Sequence, residues 1–140
     1  FGVEQLKRLP DFIKKRNKNF NLLNDFFKDY EEFFILPKWE KKAEPAWFAY
    51  PLTIKEGAPF GRREIVDFLE KNNIETRLLF AGNIIRHPAY KNVKIKVPGQ
   101  LRNADRTMEG TFFLGVWQGL RKEEINFIKN KTEEFLKKYA

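Results

Sequence analysis

Apolar side chains recur among polar ones along the first part of the chain with the spacing of an amphipathic helix. The apolar positions that recur every three or four residues are Val3, Leu6, Leu9, Ile13, Phe20, Leu23, Phe26 and Phe27. This period predicts helix over residues 3–34. Pro10 lacks a backbone N–H, so we expect either a kinked helix or two helices that meet at Leu9 and Pro10. Pro37 ends the pattern, and residues 37–46 form a polar connection bounded by prolines.

Three short apolar segments predict β-strands. Residues 47–54, 76–80 and 111–116 are rich in aromatic and β-favouring side chains. Pro51 lies inside the first segment, and proline cannot donate a hydrogen bond to a neighbouring strand. We therefore expect that strand to lie at the edge of the sheet or to carry a bulge.

Two further segments repeat apolar residues at helical spacing. Residues 62–72 predict a helix that stops at Asn72 and Asn73. Residues 122–139 predict an amphipathic helix that closes the chain. The chain therefore ends on a second surface helix with one apolar face.

The residues between the second and third predicted strands are less regular. Residues 81–103 carry no sustained period, and within them we expect a short helix near residues 88–90 and an extended stretch at residues 93–97. Asn103 or Asp105 is the expected cap of a brief helix that precedes the third strand. The segment is thus a loop-rich insertion between two strands.

This order of elements predicts an α+β fold. A small sheet with helices packed on one face is the economical arrangement for a long helix, strand–helix–strand, a loop-rich insertion, a strand and a closing helix. At 140 residues the chain has the size of one domain. We expect a single domain over residues 1–140, with a connecting helix region at 1–36 and a small α+β unit at 46–140. The chain starts at Phe1 without a methionine; we expect a piece of a longer polypeptide, although processing would give the same start.

The composition excludes several classes of protein. Cysteine is absent, so this chain can form no disulfide, no cysteine-type zinc site and no cysteine-ligated iron–sulfur cluster. The single histidine argues against a self-contained transition-metal site. No apolar run is long enough to span a bilayer, and no signal peptide is apparent. We expect no membrane partner and take the cytoplasm as the default compartment.

The net charge of +8 raises the question of nucleic acid. Many lysines fall in pairs along predicted helices with acidic residues among them, as in residues 25–32 and 131–138. This pattern is typical of solvated helix surfaces. We favour that interpretation and keep a basic nucleic-acid-binding module as the alternative from another class.

The candidate functional residues are concentrated in one stretch, TRLLFAGNIIRHPAY at residues 76–90. The GxxxxGK[ST], GxGxxG, HExxH and GxSxG motifs are absent from the sequence. Asn83 follows a glycine and presents an amide that both donates and accepts. Arg77 and Arg86 offer fixed guanidinium forks for phosphate or carboxylate groups. Pro88 holds His87 extended, which aims its imidazole. On these residues alone, two interpretations remain. The stretch forms one wall of a site, or its side chains are ordinary solvated loop residues.

The same stretch resembles the C-terminal region of the vitamin-B6-dependent sugar aminotransferase and dehydrase superfamily of the DegT/DnrJ/EryC1/StrS type. Aminotransferase members carry TRPxFxPLHxxPxY there, whereas the FAGN of residues 80–83 is similar to the CDP-4-keto-6-deoxy-D-glucose 3-dehydrase branch. GVEQLKRLPDFIKKRNKNF, AWFAYPLTI and NADRTMEGTFFLGVWQGL resemble further family segments in the same order. The resemblance covers essentially the whole chain.

The resemblance implies a fold and a reaction. The fold is the small C-terminal domain of a fold-type I pyridoxal-phosphate enzyme, with a three-stranded, mostly antiparallel sheet packed with helices and preceded by a long kinked helix. The reaction is removal of the C3 hydroxyl of a CDP-linked 4-keto-6-deoxyhexose in deoxysugar and lipopolysaccharide O-antigen biosynthesis. Pyridoxamine phosphate serves as the electron sink. The alternative in the same fold is a pyridoxal-phosphate-dependent nucleotide-sugar aminotransferase.

The resemblance also implies where the parts of the enzyme lie. The family's histidine base, cofactor-binding residues and [2Fe-2S] ligands precede the segment matched here, so this chain holds no catalytic, cofactor-binding or metal-binding residue and is not active alone. Arg77, Asn83, Arg86 and His87 are its expected substrate-binding residues. The expected partners are a CDP-hexose substrate, an N-terminal cofactor domain, a second subunit of a homodimer and a reductase that supplies electrons.

Overall fold

The computed structural model describes residues 1–97 and 99–139. Within them it has four α-helices and four β-strands, with three single turns of 3₁₀-helix between them. The elements in chain order are α1 (Gly2–Phe27), β1 (Phe34–Ile35), β2 (Ala49–Ile54), α2 (Arg62–Lys71), β3 (Thr76–Leu78), α3 (Arg102–Gly110), β4 (Thr111–Gly115) and α4 (Lys122–Leu136). The α+β class expected from the element order is confirmed.

The four strands form one antiparallel sheet in the order β1-β2-β4-β3. The sheet has one strand more than the three that the sequence predicts. The extra strand is β1, in which Phe34 pairs with Ile54. Residues 28–34 were expected to continue the first helix, but α1 ends at Phe27 and a 3₁₀ turn follows. A short apolar run fits both the helical and the strand period, so only the pairing of its backbone with β2 makes it a strand.

The first helix runs without interruption past its proline. Pro10 lies inside α1, so the alternative with two separate helices is wrong. The helix is anchored by its C-terminal half, where Phe20, Leu23 and Phe27 are fully buried. Tertiary contacts beyond Pro10 thus compensate for the hydrogen bond that proline removes.

The strand that contains Pro51 lies inside the sheet, which corrects the expectation of an edge strand. β2 pairs with β4 along five residues and with β1 at Thr53 and Ile54. Because β1 has only two residues, no described strand pairs with Pro51 on that side. The sheet therefore tolerates proline here, since this part of β2 is locally an edge.

One face of the sheet and three helices enclose a single core. Every second residue of β2 and β4 points into it, beginning with Tyr50 and Phe112, and α1, α2 and α4 supply the opposite side. Phe20, Phe27 and Tyr50 form an aromatic cluster with ring centroids 5.0 to 5.4 Å apart for the pairs with Tyr50. The Tyr50 hydroxyl donates to Asn24 Oδ1 at 3.3 Å, and burial raises the pKa of Tyr50. The prediction that helices pack on one face agrees with this core.

The remaining predictions are mostly confirmed. α2 ends at Lys71 with Asn72 as its cap, and Asn73 adopts a left-handed conformation with φ of 59°. A 3₁₀ turn occupies Pro88–Tyr90, as expected, and another occupies Ile84–Arg86. The predicted caps of α3 are wrong, because α3 begins at Arg102 and encloses both candidates. No helix in the described residues combines the length and hydropathy needed to cross a bilayer.

Candidate functional site

The FAGN turn follows β3 and packs directly against α3. Its backbone has two left-handed positions, Phe80 with φ of 47° and Gly82 with φ of 63°. A Cβ at Gly82 would overlap the backbone of Met108, whose N would lie 2.8 Å away. Only glycine therefore fits at this position, both for its conformation and for the close approach of α3.

Phe80 is a non-glycine residue in a conformation that costs free energy, and its side chain is 79% exposed. Its nearest aromatic neighbour is Phe113, with ring centroids 6.4 Å apart. Strained backbone conformations cluster at active sites and ligand clamps, which makes Phe80 a candidate for contact with a ligand. The sequence pattern marks Phe80 only as part of FAGN and gives it no role of its own.

Asn83, Arg86 and Asp105 form a hydrogen-bonded group that we call the Asp105 clamp. Asp105 Oδ1 accepts from Asn83 Nδ2 at 2.7 Å and from Arg86 Nε at 2.9 Å. Asp105 Oδ2 accepts from Arg86 Nη2 at 2.9 Å, which completes a bidentate pair. The guanidinium of Arg86, and secondly the amide of Asn83, lower the pKa of the Asp105 carboxyl. The clamp thus holds the loop onto α3 with an ionised carboxylate.

Each residue of the clamp has a distinct position. Asn83 is only 2% exposed, and its Oδ1 also accepts from the Ile85 N–H at 3.3 Å. Arg86 is exposed and uses its Nε and Nη2 edge on the carboxylate, so both hydrogens of Nη1 are left for another acceptor. Asn83 is therefore a structural part of the loop, whereas Arg86 keeps a free donor edge toward solvent.

His87 contacts the FAGN turn through its imidazole ring. Its Nε2 lies 2.8 Å from the Ala81 carbonyl oxygen. A carbonyl oxygen only accepts, so Nε2 carries the hydrogen in this contact and Nδ1 is left for a second partner. His87, Arg86 and Arg62 line one cavity of about 250 Å³. The imidazole and the guanidinium edge therefore face the same space.

Arg77 lies apart from the other three predicted residues. It is on β3, pairs with Glu75, and is exposed. It lines a different cavity of about 780 Å³ between the β3 edge and α4, whose apolar wall includes Trp117 and Phe127. The structure thus brings together Asn83, Arg86 and His87 and places Arg77 on a separate surface.

Two residues of the site were missed by sequence reasoning. Asp105 was expected only as a helix cap, and it is separated from Asn83 by 22 residues. Arg62 Nη1 donates to the carbonyl oxygens of Met108 and Thr111, the latter at 3.3 Å, and so fastens the end of α3. No local sequence pattern indicates either contact, because each joins residues that lie far apart in the sequence.

The chemistry of this site is that of anion and polar-group recognition. It offers a guanidinium edge, an imidazole nitrogen and an exposed aromatic ring, and its one carboxylate is engaged by Asn83 and Arg86. Among residues 1–97 and 99–139, no group of three or more acidic or histidine side chains could hold a metal ion. The arrangement suits a polar, negatively charged ligand with an apolar portion.

Comparison with solved structures defines the class of protein. The fold superimposes on GDP-4-keto-6-deoxy-D-mannose-3-dehydratase of Escherichia coli, solved with bound hydrated PLP, with a TM-score of 0.81 and 29% identity. The match covers 93% of this chain and 33% of that one. The chain therefore has the fold of one part of the pyridoxal-phosphate-dependent, aminotransferase-fold enzymes.

The family follows from the sequence comparison. The model of the DegT/DnrJ/EryC1/StrS aminotransferase family matches residues 1–133, and the chain belongs to this family. It is 43% identical over 134 residues to the lipopolysaccharide biosynthesis protein RfbH of Salmonella typhimurium, covering 96% of this chain and 31% of that protein. It is 35% identical to dTDP-4-dehydro-2,6-dideoxy-D-glucose 3-dehydratase of Saccharopolyspora spinosa, covering 98% and 29%. The chain thus spans about a third of the length of these relatives, and the resemblance stated from its motifs is confirmed.

Proposed function

We propose that this chain is the C-terminal, substrate-covering domain of a pyridoxamine-phosphate-dependent 3-dehydrase that acts on a CDP-linked 4-keto-6-deoxyhexose. The observation that carries the proposal is the 43% identity to RfbH over nearly the whole chain. The 3-dehydrase reaction is supported by the relative from Saccharopolyspora spinosa, which is named a dTDP-4-dehydro-2,6-dideoxy-D-glucose 3-dehydratase. The proposed process is deoxysugar and lipopolysaccharide O-antigen biosynthesis in the cytoplasm.

The proposed roles of the site residues follow from their contacts. Arg86 directs its free Nη1 edge to an anionic or hydroxyl oxygen of the substrate, and His87 offers Nδ1 to a sugar hydroxyl. Asn83 keeps the loop in place, because its amide is buried and already paired. Arg77 contacts substrate or a neighbouring domain from its own surface. No residue of this chain is assigned a bond-breaking step.

The cofactor groups belong to the remainder of the proposed enzyme. When bound, pyridoxamine phosphate supplies the electron sink for loss of the C3 hydroxyl. No residue of this chain is assigned to it, because the resemblance places the family's cofactor-binding residues before the segment matched here. A [2Fe-2S] cluster does not fit this chain, which has no cysteine to ligate it. The cofactor domain, the homodimer and the electron-donating reductase are parts of the proposal.

The proposal is tested first on the gene and then on its product. We expect the coding sequence before Phe1 to encode a cofactor domain with a histidine in place of the usual pyridoxal-phosphate lysine, together with cysteines. We expect the complete gene product, loaded with pyridoxamine phosphate, to consume CDP-4-keto-6-deoxy-D-glucose in a chromatographic assay.

An Arg86→Gln variant should lower kcat/KM about tenfold or more, since a charge-assisted hydrogen bond is lost. If the coding sequence before Phe1 instead encodes the usual pyridoxal-phosphate lysine, and the gene product transaminates the sugar, the aminotransferase alternative replaces the proposal.

A further inference from the structure

Helix α3 carries the residues that hold the FAGN loop, but none of its own residues is fully buried. Most surface helices are held in place by the burial of one apolar face. α3 also passes directly into β4, since Gly110 ends the helix and Thr111 begins the strand. The position of α3 therefore depends on this junction and on polar contacts with the rest of the domain.

Arg62, the first residue of α2, supplies such a contact at the C-terminal end of α3. The last four carbonyl groups of an α-helix have no partner inside the helix, and they form the negative end of its dipole. Arg62 Nη1 donates to the carbonyl oxygen of Met108, and it donates to that of Thr111 at 3.3 Å. One guanidinium thus ties both the end of α3 and the start of β4 to α2.

A second polar contact of α3 is more exposed. Arg106 pairs with Glu56 at 2.7 Å, and the Glu56 side chain is 86% exposed. Water screens such a pair, so it contributes little. Arg62 is half-buried, and the atoms to which it donates belong to the backbone of α3 and β4. Arg62 is therefore the better anchor of the two.

The anchored end of α3 contacts the FAGN loop in two ways. Gly82 lies so close to Met108 that a Cβ at Gly82 would overlap the Met108 backbone. One turn earlier in α3, Asp105 accepts hydrogen bonds from Asn83 and Arg86. A shift of α3 would move both contacts together, because they lie on the same rigid helix.

We propose that Arg62 is a positioning residue for the candidate site. It fixes the end of α3, and through α3 it holds the FAGN loop, Arg86 and His87 in the arrangement that receives the substrate. This rests on the proposed function and adds to it a residue that acts through others. Arg86 and His87 are assigned to binding, so their misalignment weakens the ground state and the transition state alike.

Direct contact of Arg62 with the substrate is the alternative that the test has to separate. Arg62 lines the cavity of about 250 Å³ together with Arg86 and His87, so both roles predict weaker binding when Arg62 is replaced. They differ in their dependence on Arg86. A residue that acts through Arg86 has little effect once Arg86 is gone, whereas an independent contact keeps its full effect.

The test measures steady-state kinetics of the complete gene product, loaded with pyridoxamine phosphate, on CDP-4-keto-6-deoxy-D-glucose. R62M, R86Q and R62M/R86Q form a double-mutant cycle with the wild type. R63M is the matched control, because Arg63 is the next residue of α2 and its side chain is 93% exposed. The control removes the same charge from the same turn of helix.

We expect R62M to lower kcat/KM about tenfold, mainly through a higher KM, because a displaced loop loses its alignment with the substrate. In the R86Q background the same substitution should lower kcat/KM less than about threefold. R62K should recover part of the loss, since an ammonium group can also donate to both carbonyl oxygens. R63M should behave like the wild type.

Amide hydrogen exchange of the protein without substrate supplies a measurement that needs no turnover. In R62M the amides of residues 83–90 and 105–110 should exchange faster than in the wild type, because the loop and the end of α3 open more readily. The amides of the core helix α4 should keep their wild-type rates. If R62M does not fold, R62Q replaces it in both measurements.

Equal losses from R62M in the wild-type and R86Q backgrounds would overturn the inference and assign Arg62 to direct substrate contact. Wild-type kinetics in R62M, with the wild-type enzyme active, would remove the positioning role and leave the proposed function standing. A wild type that does not consume the substrate removes the proposed function. Unchanged hydrogen exchange in R62M would then overturn the inference as well, whereas faster exchange in the loop would still show that Arg62 holds it.

Discussion

At the residue scale, the site depends on two positions to which we assign no substrate contact. Gly82 permits the FAGN turn to approach α3, and Asp105 holds Asn83 and Arg86 on that helix. The glycine belongs to the motif that the sequence displays, whereas the partner of Asn83 could not be found there. Hydrogen bonds across 22 residues leave no periodic trace in the sequence.

Gly82→Ala should destabilise the chain by about 2–5 kcal/mol. A left-handed alanine costs about 1–2 kcal/mol and overpacking against Met108 adds about 1–3 kcal/mol. Urea unfolding followed by circular dichroism measures the change. Gly57→Ala separates the two causes, because Gly57 has φ of 87° but no atom within 4 Å of the position that a Cβ would take, and it should lose only the conformational part. Equal losses at both positions would contradict the close contact with α3.

Asp105→Asn should make the folded state less stable at neutral pH and reduce its pH dependence. The folded-state pKa of Asp105 is lowered, so its ionisation stabilises the fold fully above the unfolded-state pKa of about 4. That contribution is lost as pH falls through the lower folded-state pKa. The gap in unfolding free energy between wild type and variant should therefore narrow from pH 7 to pH 3. A gap that stays constant over this range would show that the carboxylate charge does not hold the clamp.

At the element scale, the boundaries that the sequence missed are those decided by pairing. β1 has two residues and no period of its own, and β2 tolerates Pro51 only because β1 is so short. α1, α2 and α4 were predicted well, since each buries one face and repeats its apolar residues over two turns or more. Long amphipathic helices are thus predictable from the sequence, whereas the two-residue strand β1 is not.

Phe34→Ala tests whether β1 is part of the core. Phe34 is 1% exposed and packs edge-on against Phe27 at 5.5 Å, so the variant should lose about 3–5 kcal/mol of unfolding free energy. Ile35→Ala is the matched control in the same strand. Ile35 is 37% exposed, and its loss should be below about 1 kcal/mol. Similar losses for both variants in chemical denaturation would contradict the burial pattern of β1.

At the scale of the whole molecule, apolar surface is left uncovered in two places. The first turns of α1 expose Val3 and Leu6 by 69% and 65%, and the cavity beside β3 exposes Trp117 by 61%. Exposed apolar groups of this size are typical of surfaces that contact another domain or subunit. This agrees with a chain that spans about a third of the length of its relatives.

The 140-residue chain alone should therefore self-associate. Sedimentation velocity at rising concentration should show species larger than a monomer, because association covers the exposed apolar surface. The double variant L6K/L9K should shift the chain toward the monomer without changing its unfolding midpoint, since both side chains are exposed. A wild-type chain that stays monomeric at every concentration would contradict this expectation.

The sequence by itself determined the α+β class, the three long core helices, the FAGN turn and the family to which the chain belongs. These features depend on local periods, on glycine conformation and on contiguous motifs, all of which are written along the chain. Tertiary structure alone decided the fourth strand, the inner position of β2, the pairing of Asp105 with Asn83 and Arg86, and the separation of Arg77 from the other site residues. Each of these depends on which distant residues come into contact, and the free energy of such contacts exists only once the chain has folded back on itself.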